Sequence, residues 1–131
     1  MAVENLQAFN NSVVKFAKTL VPAQQILFIK KISLQALRGV VLKTPVDTGR
    51  LRGNWLVSID SVPSAPVEKT DRPGNSTIST GAQELAKVTP FSTVFITNNV
   101  EYAEFVEEGT PKKAPVKMLA RTIEELRAQF P

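Results

Sequence analysis

The chain has 131 residues, of which 43% are hydrophobic and 21% are charged, as is typical of one globular domain and not of a disordered chain. It contains no cysteine and no histidine, which excludes disulfides, thiolate metal sites and catalysis by Ser-His-Asp or Cys-His arrangements. Carboxylate or lysine chemistry remains open, but we expect no enzymatic activity, no bound metal and no cofactor.

The net charge of +4 is unevenly distributed along the chain. Residues 1–52 carry eight Lys or Arg and two acidic residues, whereas residues 53–131 carry eight Lys or Arg and ten acidic residues. A basic half of this kind suits nucleic acid or an acidic surface of a neighbouring subunit, and ordinary solvated charge is the alternative.

The sequence predicts neither a membrane span nor a signal peptide. No apolar run reaches the roughly 18 residues that a bilayer span needs. Residues 1–5 do not place a basic start before an apolar stretch, as a signal peptide would. Because the chain has no cysteine, we expect synthesis in a reducing cytoplasm.

Two helices are predicted in the first third of the chain. Apolar residues at three- and four-residue steps predict an amphipathic helix over residues 3–20. Pro22 separates it from a second predicted helix, residues 23–43, which is apolar around much of its circumference. That helix either forms the centre of the core or also contacts another subunit. Thr44 ends it, because a residue before proline avoids helical geometry.

A turn and a strand follow the second helix. Asp47, Thr48 and Gly49 predict a structural turn, since Asp bonds nearby amides and Gly tolerates positive φ. The same tripeptide occurs in aspartic proteases, where two carboxylates share one proton, but the helical residues before it and the two arginines after it argue against a protease. Residues 54–60 predict a half-buried strand, because apolar and polar residues alternate there.

The middle of the chain is predicted to be irregular. Residues 61–78 are rich in Pro, Ser and Thr and predict either a long exposed arm or a mobile loop. A short edge strand over residues 65–70 is expected within this segment. Thr80 and Gln83 form a capping-box pattern that predicts a short helix over residues 80–87.

The last third predicts one strand and two helices. Residues 91–98 are rich in β-branched and aromatic residues, which favours a strand. Residues 100–108 predict a short helix with Gly109 at its left-handed C-terminal position. Residues 115–129 predict a final helix, whose inward-facing residues are Met118, Leu119, Ile123 and Leu126.

The order of these elements predicts an α+β fold, in which an antiparallel sheet has helices packed on one face, with long N-terminal helices and a C-terminal helix. We expect a single domain over residues 1–131. Its parts are a helical N-terminal part (1–43), a turn and strand (44–60), a variable arm (61–90), and a strand, short helix and C-terminal helix (91–131).

Two charged sets are candidates for function. The acidic set is Glu101, Glu104, Glu107 and Glu108, of which three lie on one helical face. Paired carboxylates can bind a divalent cation or act as acid and base, and a solvated or subunit-facing strip is the alternative. The basic set is Lys30, Lys31, Arg38, Lys43, Arg50 and Arg52. It offers charge for DNA, but it lacks the interleaved aromatic residues or the fold signature that dedicated DNA-binding proteins show.

Three segments have the motifs TPVDTGRLRGNW (44–55), ITNNVEYAEFVEEGT (96–110) and APVKMLARTI (114–123). In this order and spacing they resemble a family of small tail-component proteins of long-tailed bacteriophages, also called tail-completion, neck or head-to-tail joining proteins. The chain departs from the family pattern at Val100, where proline is common, and at residues 116–117, where a small residue and glycine are common.

The resemblance implies a structural virion protein, made in the bacterial host cytoplasm, that forms a ring at the head-proximal end of the tail. Such rings commonly have six subunits. They bridge the tail's terminal ring to head-closure proteins, while DNA passes through the lumen without sequence-specific binding. A DNA-binding accessory protein with a basic N-terminal half is the alternative.

In a head-to-tail ring, opposite charges would orient each subunit on the next. The residues that we assign to such a subunit interface are Arg50, Arg52, Glu101, Glu104, Glu107 and Glu108. We further expect Asp47 to cap the chain as it leaves the second helix, and Arg50 to pair with Glu107 or Glu108. Trp55, Tyr102 and Phe105 are expected to be core or interface anchors, with core the favoured role for each.

Overall fold

The computed structural model describes residues 6–129. In that part of the chain the fold is α+β, as predicted, with six helices and one two-stranded antiparallel sheet. The helices are α1 (Leu6–Ala17), α2 (Pro22–Lys43), α3 (Arg50–Gly53), α4 (Asn75–Leu85), α5 (Ala103–Glu108) and α6 (Met118–Arg127), and the strands are β1 (Trp55–Ile59) and β2 (Val94–Asn98). None of the helices within residues 6–129 has the length and apolarity that crossing a membrane requires.

The sheet has its helices on one face. β1 and β2 pair so that Val57 lies opposite Ile96 and Ile59 lies opposite Val94. Because side chains alternate along a strand, these four residues and Trp55 project from the same face. That face lies in the main core, where α2 and α4 pack against β1. The alternating pattern in the sequence therefore predicted the buried side of β1 correctly.

Helix α2 is the centre of the core and also keeps an apolar side in solvent. Leu37, Val40 and Val41 are at most 1% exposed and belong to the main cluster. On another side of the same helix Leu27 is 68% exposed and Leu42 is 52% exposed. The apolar circumference that the sequence shows is thus divided between core and surface.

Helices α1 and α6 form a smaller second cluster beside the main core. Phe9 of α1 packs with Ile123 and Leu126 of α6. The predicted inward side of α6 is confirmed, since Met118, Ile123 and Leu126 are buried and Leu119 packs against the main cluster. Residues 3–5 of the predicted first helix lie outside the described residues.

The close approach of α4 to α2 depends on a residue without a side chain. A Cβ atom on Gly81 would lie 3.0 Å from Cγ2 of Val57 and closer still to Cδ2 of Leu37. Both neighbours are buried in the main cluster, where close-packed side chains leave little room to move. Gly81 therefore lets α4 lie directly on the helix and the strand beneath it.

The segment after β1 returns along the sheet and does not extend away as an arm. The carbonyl oxygen of Pro63 accepts a hydrogen bond from Asn99 Nδ2 at 3.0 Å, and Val67 N donates to Asn54 Oδ1 at 2.7 Å. Asn54 is fully buried immediately before β1, so the segment is tied to the body of the domain. The predicted edge strand over 65–70 is wrong, because these residues form no strand.

Helix α4 begins five residues before the predicted capping box, so the predicted boundary at Thr80 is wrong. Asp71 supplies the cap instead: its carboxylate accepts hydrogen bonds from Gly74 N at 3.1 Å and from Thr77 N at 2.7 Å. Burial of Asp71 opposes its ionisation, but the hydrogen bonds from Thr77 and Gly74 outweigh burial and hold the pKa of the Asp71 carboxyl below its ordinary value.

One buried hydroxyl joins three elements of the core. Thr44 Oγ1 donates to Val40 O at 2.6 Å and accepts a hydrogen bond from Trp55 Nε1 at 2.7 Å. Met118 Sδ lies 3.2 Å from the same oxygen. Since Thr44, Trp55 and Met118 are at most 3% exposed, water cannot replace these contacts.

We expect Thr44→Val to lower the free energy of unfolding by about 1–3 kcal/mol, because the buried Trp55 N–H loses its acceptor while the side-chain volume hardly changes. Denaturant unfolding followed by the fluorescence of Trp55, the only tryptophan, measures the loss. Thr80→Val on the exposed side of α4 is the matched control and should change stability by less than about 0.5 kcal/mol. Equal unfolding midpoints for both variants would contradict the role given to Thr44.

We expect Asp71→Asn to destabilise the fold by about 1–2 kcal/mol at neutral pH, because an amide oxygen replaces only one of the two carboxylate acceptors. The folded-state pKa of Asp71 is depressed, so its stabilisation is complete above the ordinary value of about 4 and is lost as pH falls through the folded value. The stability difference between the two proteins should therefore shrink on acidification. Unfolding at neutral and acidic pH measures it, with the exposed Asp47→Asn as control. A difference that is the same at both pH values would be inconsistent with this assignment.

Candidate functional site

Thr48 and Gly49, and not Asp47, shape the turn after α2. Thr48 Oγ1 accepts a hydrogen bond from Arg50 N at 3.2 Å, and Gly49 has a φ of 91°, which glycine adopts without strain. Asp47 is exposed, and its carboxylate has no hydrogen-bond partner within residues 6–129. The expected cap by Asp47 is therefore wrong.

The carbonyl of Gly49 ties the turn to two other parts of the chain. It accepts hydrogen bonds from Gly53 N at 2.9 Å, which closes α3, and from Asp71 N at 3.0 Å. A Cβ atom on Gly49 would lie 2.8 Å from Arg72 N. The turn is thus pressed against the residues that cap α4.

Arg50 joins α3 to the residues that lead into α5. Its Nη1 and Nη2 atoms donate to Glu101 Oε1 at 2.8 Å and to Glu101 Oε2 at 3.1 Å. The hydrogen bond from Arg50 lowers the pKa of Glu101, and the same bond raises the pKa of Arg50. The expected pairing with Glu107 or Glu108 is wrong, because the bidentate partner of Arg50 is Glu101.

Arg52 makes its hydrogen bonds within its own chain. Its guanidinium donates to Thr44 O at 2.8 Å, to Arg72 O at 2.9 Å and, more weakly, to Leu42 O at 3.4 Å. Two of these carbonyls lie at the C-terminal end of α2, where helix carbonyls lack partners within the helix. Arg52 therefore caps α2 and fixes the segment before α4.

Glu107 does not lie in the exposed acidic strip that the sequence suggested. It is 3% exposed, and its two oxygens accept hydrogen bonds from Leu119 N at 2.8 Å and Ala120 N at 3.1 Å. These amides belong to the first turn of α6, which has no side-chain cap of its own at Lys117. Glu107 thus caps α6 from another helix, because buried helix amides need an acceptor and favour a negative charge.

The outward face of α5 carries acids around an aromatic ring. Glu104 and Glu108 are exposed, Phe105 is 61% exposed and Tyr102 is 37% exposed. The expected core role is correct for Trp55, which is 3% exposed, and wrong for the other two aromatic residues. Within residues 6–129, no three acidic side chains are arranged to hold a metal ion.

The basic residues of α2 differ in their partners. Lys43 pairs with Glu125 of α6 at 2.9 Å. Lys30, Lys31 and Arg38 make no ion pair with the described part of the chain, and Lys31 and Arg38 are exposed. The charges of Lys31 and Arg38 are therefore directed outward, whereas the charge of Lys43 is used within the chain.

The three motif segments meet in one junction, in which the first segment contacts two segments that lie more than 40 residues later in the sequence. Thr44, Trp55 and Met118 meet in the core, as described above, and Asn98 Nδ2 donates to Leu51 O at 2.8 Å. Together with the Arg50–Glu101 pair and the Glu107 cap, these contacts join all three segments. The sequence contains no local signal for this convergence, because each contact joins residues from different elements.

Comparisons with protein-family models, with curated proteins and with solved structures find no match to this chain. The candidate site is a structural junction of buried polar residues. Beside it, α5 has an acidic aromatic face, and α2 has a basic side that makes no ion pair within residues 6–129 at Lys31 and Arg38.

We expect Glu107→Gln to lower the free energy of unfolding by about 1–2 kcal/mol, because one α6 amide loses its acceptor and the helix loses a favourable charge. Glu108→Gln, the adjacent exposed residue, is the control and should change stability by less than about 0.5 kcal/mol. Thermal or denaturant unfolding compares the two. If both variants unfold together with the original chain, Glu107 is not a cap.

Proposed function

We propose that this chain is a structural virion protein that forms a ring at the neck of a long-tailed bacteriophage and joins the tail to head-closure proteins. The observation that carries this proposal is the junction of the three segments that resemble the tail-completion and neck proteins. Their polar residues Thr44, Arg52 and Glu107 are buried or bonded to backbone groups that hold elements together. Motif residues that hold the fold together, and do not form a reactive site, are expected in a structural protein that acts by binding neighbouring proteins.

The exposed apolar surface supports a role in assembly. Phe91 is 95% exposed, Leu27 68%, Phe105 61% and Val62 56%. Single exposed apolar residues are ordinary, but several large ones on a chain of this size favour contacts with other proteins. A ring component needs such surfaces on more than one side, because each subunit has two neighbours and further partners above and below.

The distribution of charge supports the same proposal. Within residues 6–129, cations on α2 and carboxylates on α5 make no ion pair. Opposite charges on different elements orient one copy on the next. By the resemblance, the ring has six subunits and surrounds the DNA without reading its sequence.

The alternative function, a DNA-binding accessory protein, has one specific observation in its favour. Lys30, Lys31 and Arg38 on α2 make no ion pair with residues 6–129, and phosphate contacts use such positive charge. Binding to random-sequence DNA that falls steeply with salt would favour this alternative. Exposed Leu27 and Leu42 on the same helix favour a protein partner instead.

The proposal predicts the outcome of deleting the gene for this chain from a phage that encodes it. Filled heads and finished tails should accumulate separately, because the joining ring is missing, and electron microscopy of the lysate counts them. Supplying the chain from a plasmid should restore joined particles, and the Thr80→Val control should restore them equally. Normal joined particles without the chain, or purified particles that lack it when the chain is present, would refute a neck role.

A further inference from the structure

Two surfaces of the subunit have opposite charge around exposed apolar side chains. The acidic patch consists of Glu104, Phe105 and Glu108 on α5. The basic stripe consists of Leu27, Lys31, Arg38 and Leu42 on α2. We propose that the acidic patch of one copy binds the basic stripe of the next copy, an inference that rests on the proposed ring and identifies the contact that closes it.

The acidic patch is the outward side of a short helix that is held firmly from within. Ala103 is 1% exposed and Glu107 is 3% exposed, so the opposite side of α5 is buried. Phe105 is 61% exposed. Glu108 lies three residues from Phe105 and four residues from Glu104, and such steps make Glu108 the helical neighbour of both. Glu104 and Glu108 make no ion pair with residues 6–129. The patch therefore presents unpaired negative charge beside an apolar centre.

The basic stripe follows one side of α2. Its members are spaced by four, seven and four residues, and such steps keep side chains on one side of a helix. Leu27 is 68% exposed and Leu42 is 52% exposed, whereas Leu37 and Val40 on another side are at most 1% exposed. Lys31 and Arg38 are exposed without an ion pair to the described residues. The stripe therefore presents unpaired positive charge between two apolar side chains.

Charge complementarity selects a second copy of the chain as the occupant of each surface. An apolar centre with opposite charges at its edge is a common arrangement at protein interfaces. Two acidic patches placed together would oppose like charges, and so would two basic stripes, which disfavours a two-fold dimer through either surface. Contact between different surfaces of identical chains leads to a ring when the rotation closes.

A charge-exchange experiment tests the contact. The first variant is Glu104→Lys/Glu108→Lys, and the second is Lys31→Glu/Arg38→Glu. Each alone should weaken self-association by at least about tenfold, as measured by sedimentation velocity at low salt, because each places like charges at every contact. The original chain should associate, and added salt should weaken its association.

Mixing the two variants in equal amounts should restore assembly. In an alternating ring the reversed patch of the first variant meets the reversed stripe of the second, and the remaining contacts have their original charges. Every contact is then complementary, and only even-numbered rings satisfy this condition. Restoration by mixing is an outcome that a merely misfolded variant cannot give.

Matched controls separate this contact from general effects of charge and apolarity. Glu68→Lys/Glu124→Lys reverses two exposed acids outside both surfaces and should leave association unchanged. Phe105→Ala should weaken association, whereas Phe91→Ala, at a residue that is 95% exposed outside both surfaces, should not. Equal weakening by the two Phe variants would overturn the assignment of the acidic patch.

Several results would overturn the proposal. They are unchanged association of either charge variant, no restoration on mixing, and an original chain that remains monomeric at every concentration and salt. Loss of DNA binding with intact self-association in Lys31→Glu/Arg38→Glu would assign the stripe to DNA. The gene deletion tests the neck role separately. If heads and tails join only when the chain is present, but the charge variants still associate, the neck function is retained and this contact is rejected.

Discussion

The hydrogen bond from Trp55 Nε1 to Thr44 Oγ1 is the interaction on which the rest of the structure depends. It joins the end of α2 to the start of β1, and Met118 brings the start of α6 to the same oxygen. Because this site is closed to water, the polar atoms must satisfy one another or remain unpaired at a cost. The directions of the central helix, the sheet and the last helix are thereby fixed together.

Once these elements are fixed, the charged residues divide into two groups with different roles. Asp71, Arg52 and Glu107 bond backbone groups at helix ends, where amides and carbonyls lack partners within the helix. Lys31, Arg38, Glu104 and Glu108 bond no backbone group in the described part of the chain and lie at the surface. The first group holds the elements of the fold together, and the second group is exposed to solvent.

Helix α5 carries residues of both groups: Glu107 bonds backbone amides, and Glu104 and Glu108 are exposed. This short helix is held rigidly by contacts with its neighbours. A helix of this length is not stable by itself, but Glu107 attaches it to α6 and the Arg50–Glu101 pair attaches its leading residues to α3. The Arg50–Glu101 pair is exposed, so it orients the chain more than it stabilises it. The outward carboxylates and Phe105 are therefore held on a fixed support.

The sequence by itself determined those helices and strands in which apolar residues recur at a regular spacing. Periodic apolar residues predicted α2 and the inward side of α6, and alternation predicted the buried side of β1, because burying one side of an element requires that repeat. Only the tertiary structure decided the start of α4, the partner of Arg50 and the burial of Glu107. Glu101 and Glu107 bond groups in other parts of the chain, and Asp71 reaches the first turn of α4 from three residues before the N-cap position, so the periodic pattern of the sequence does not show these roles. The exposure of Phe105 likewise follows from the tertiary structure. Because Glu107 caps α6, its side of the six-residue helix α5 is buried, and Phe105 lies on the exposed side.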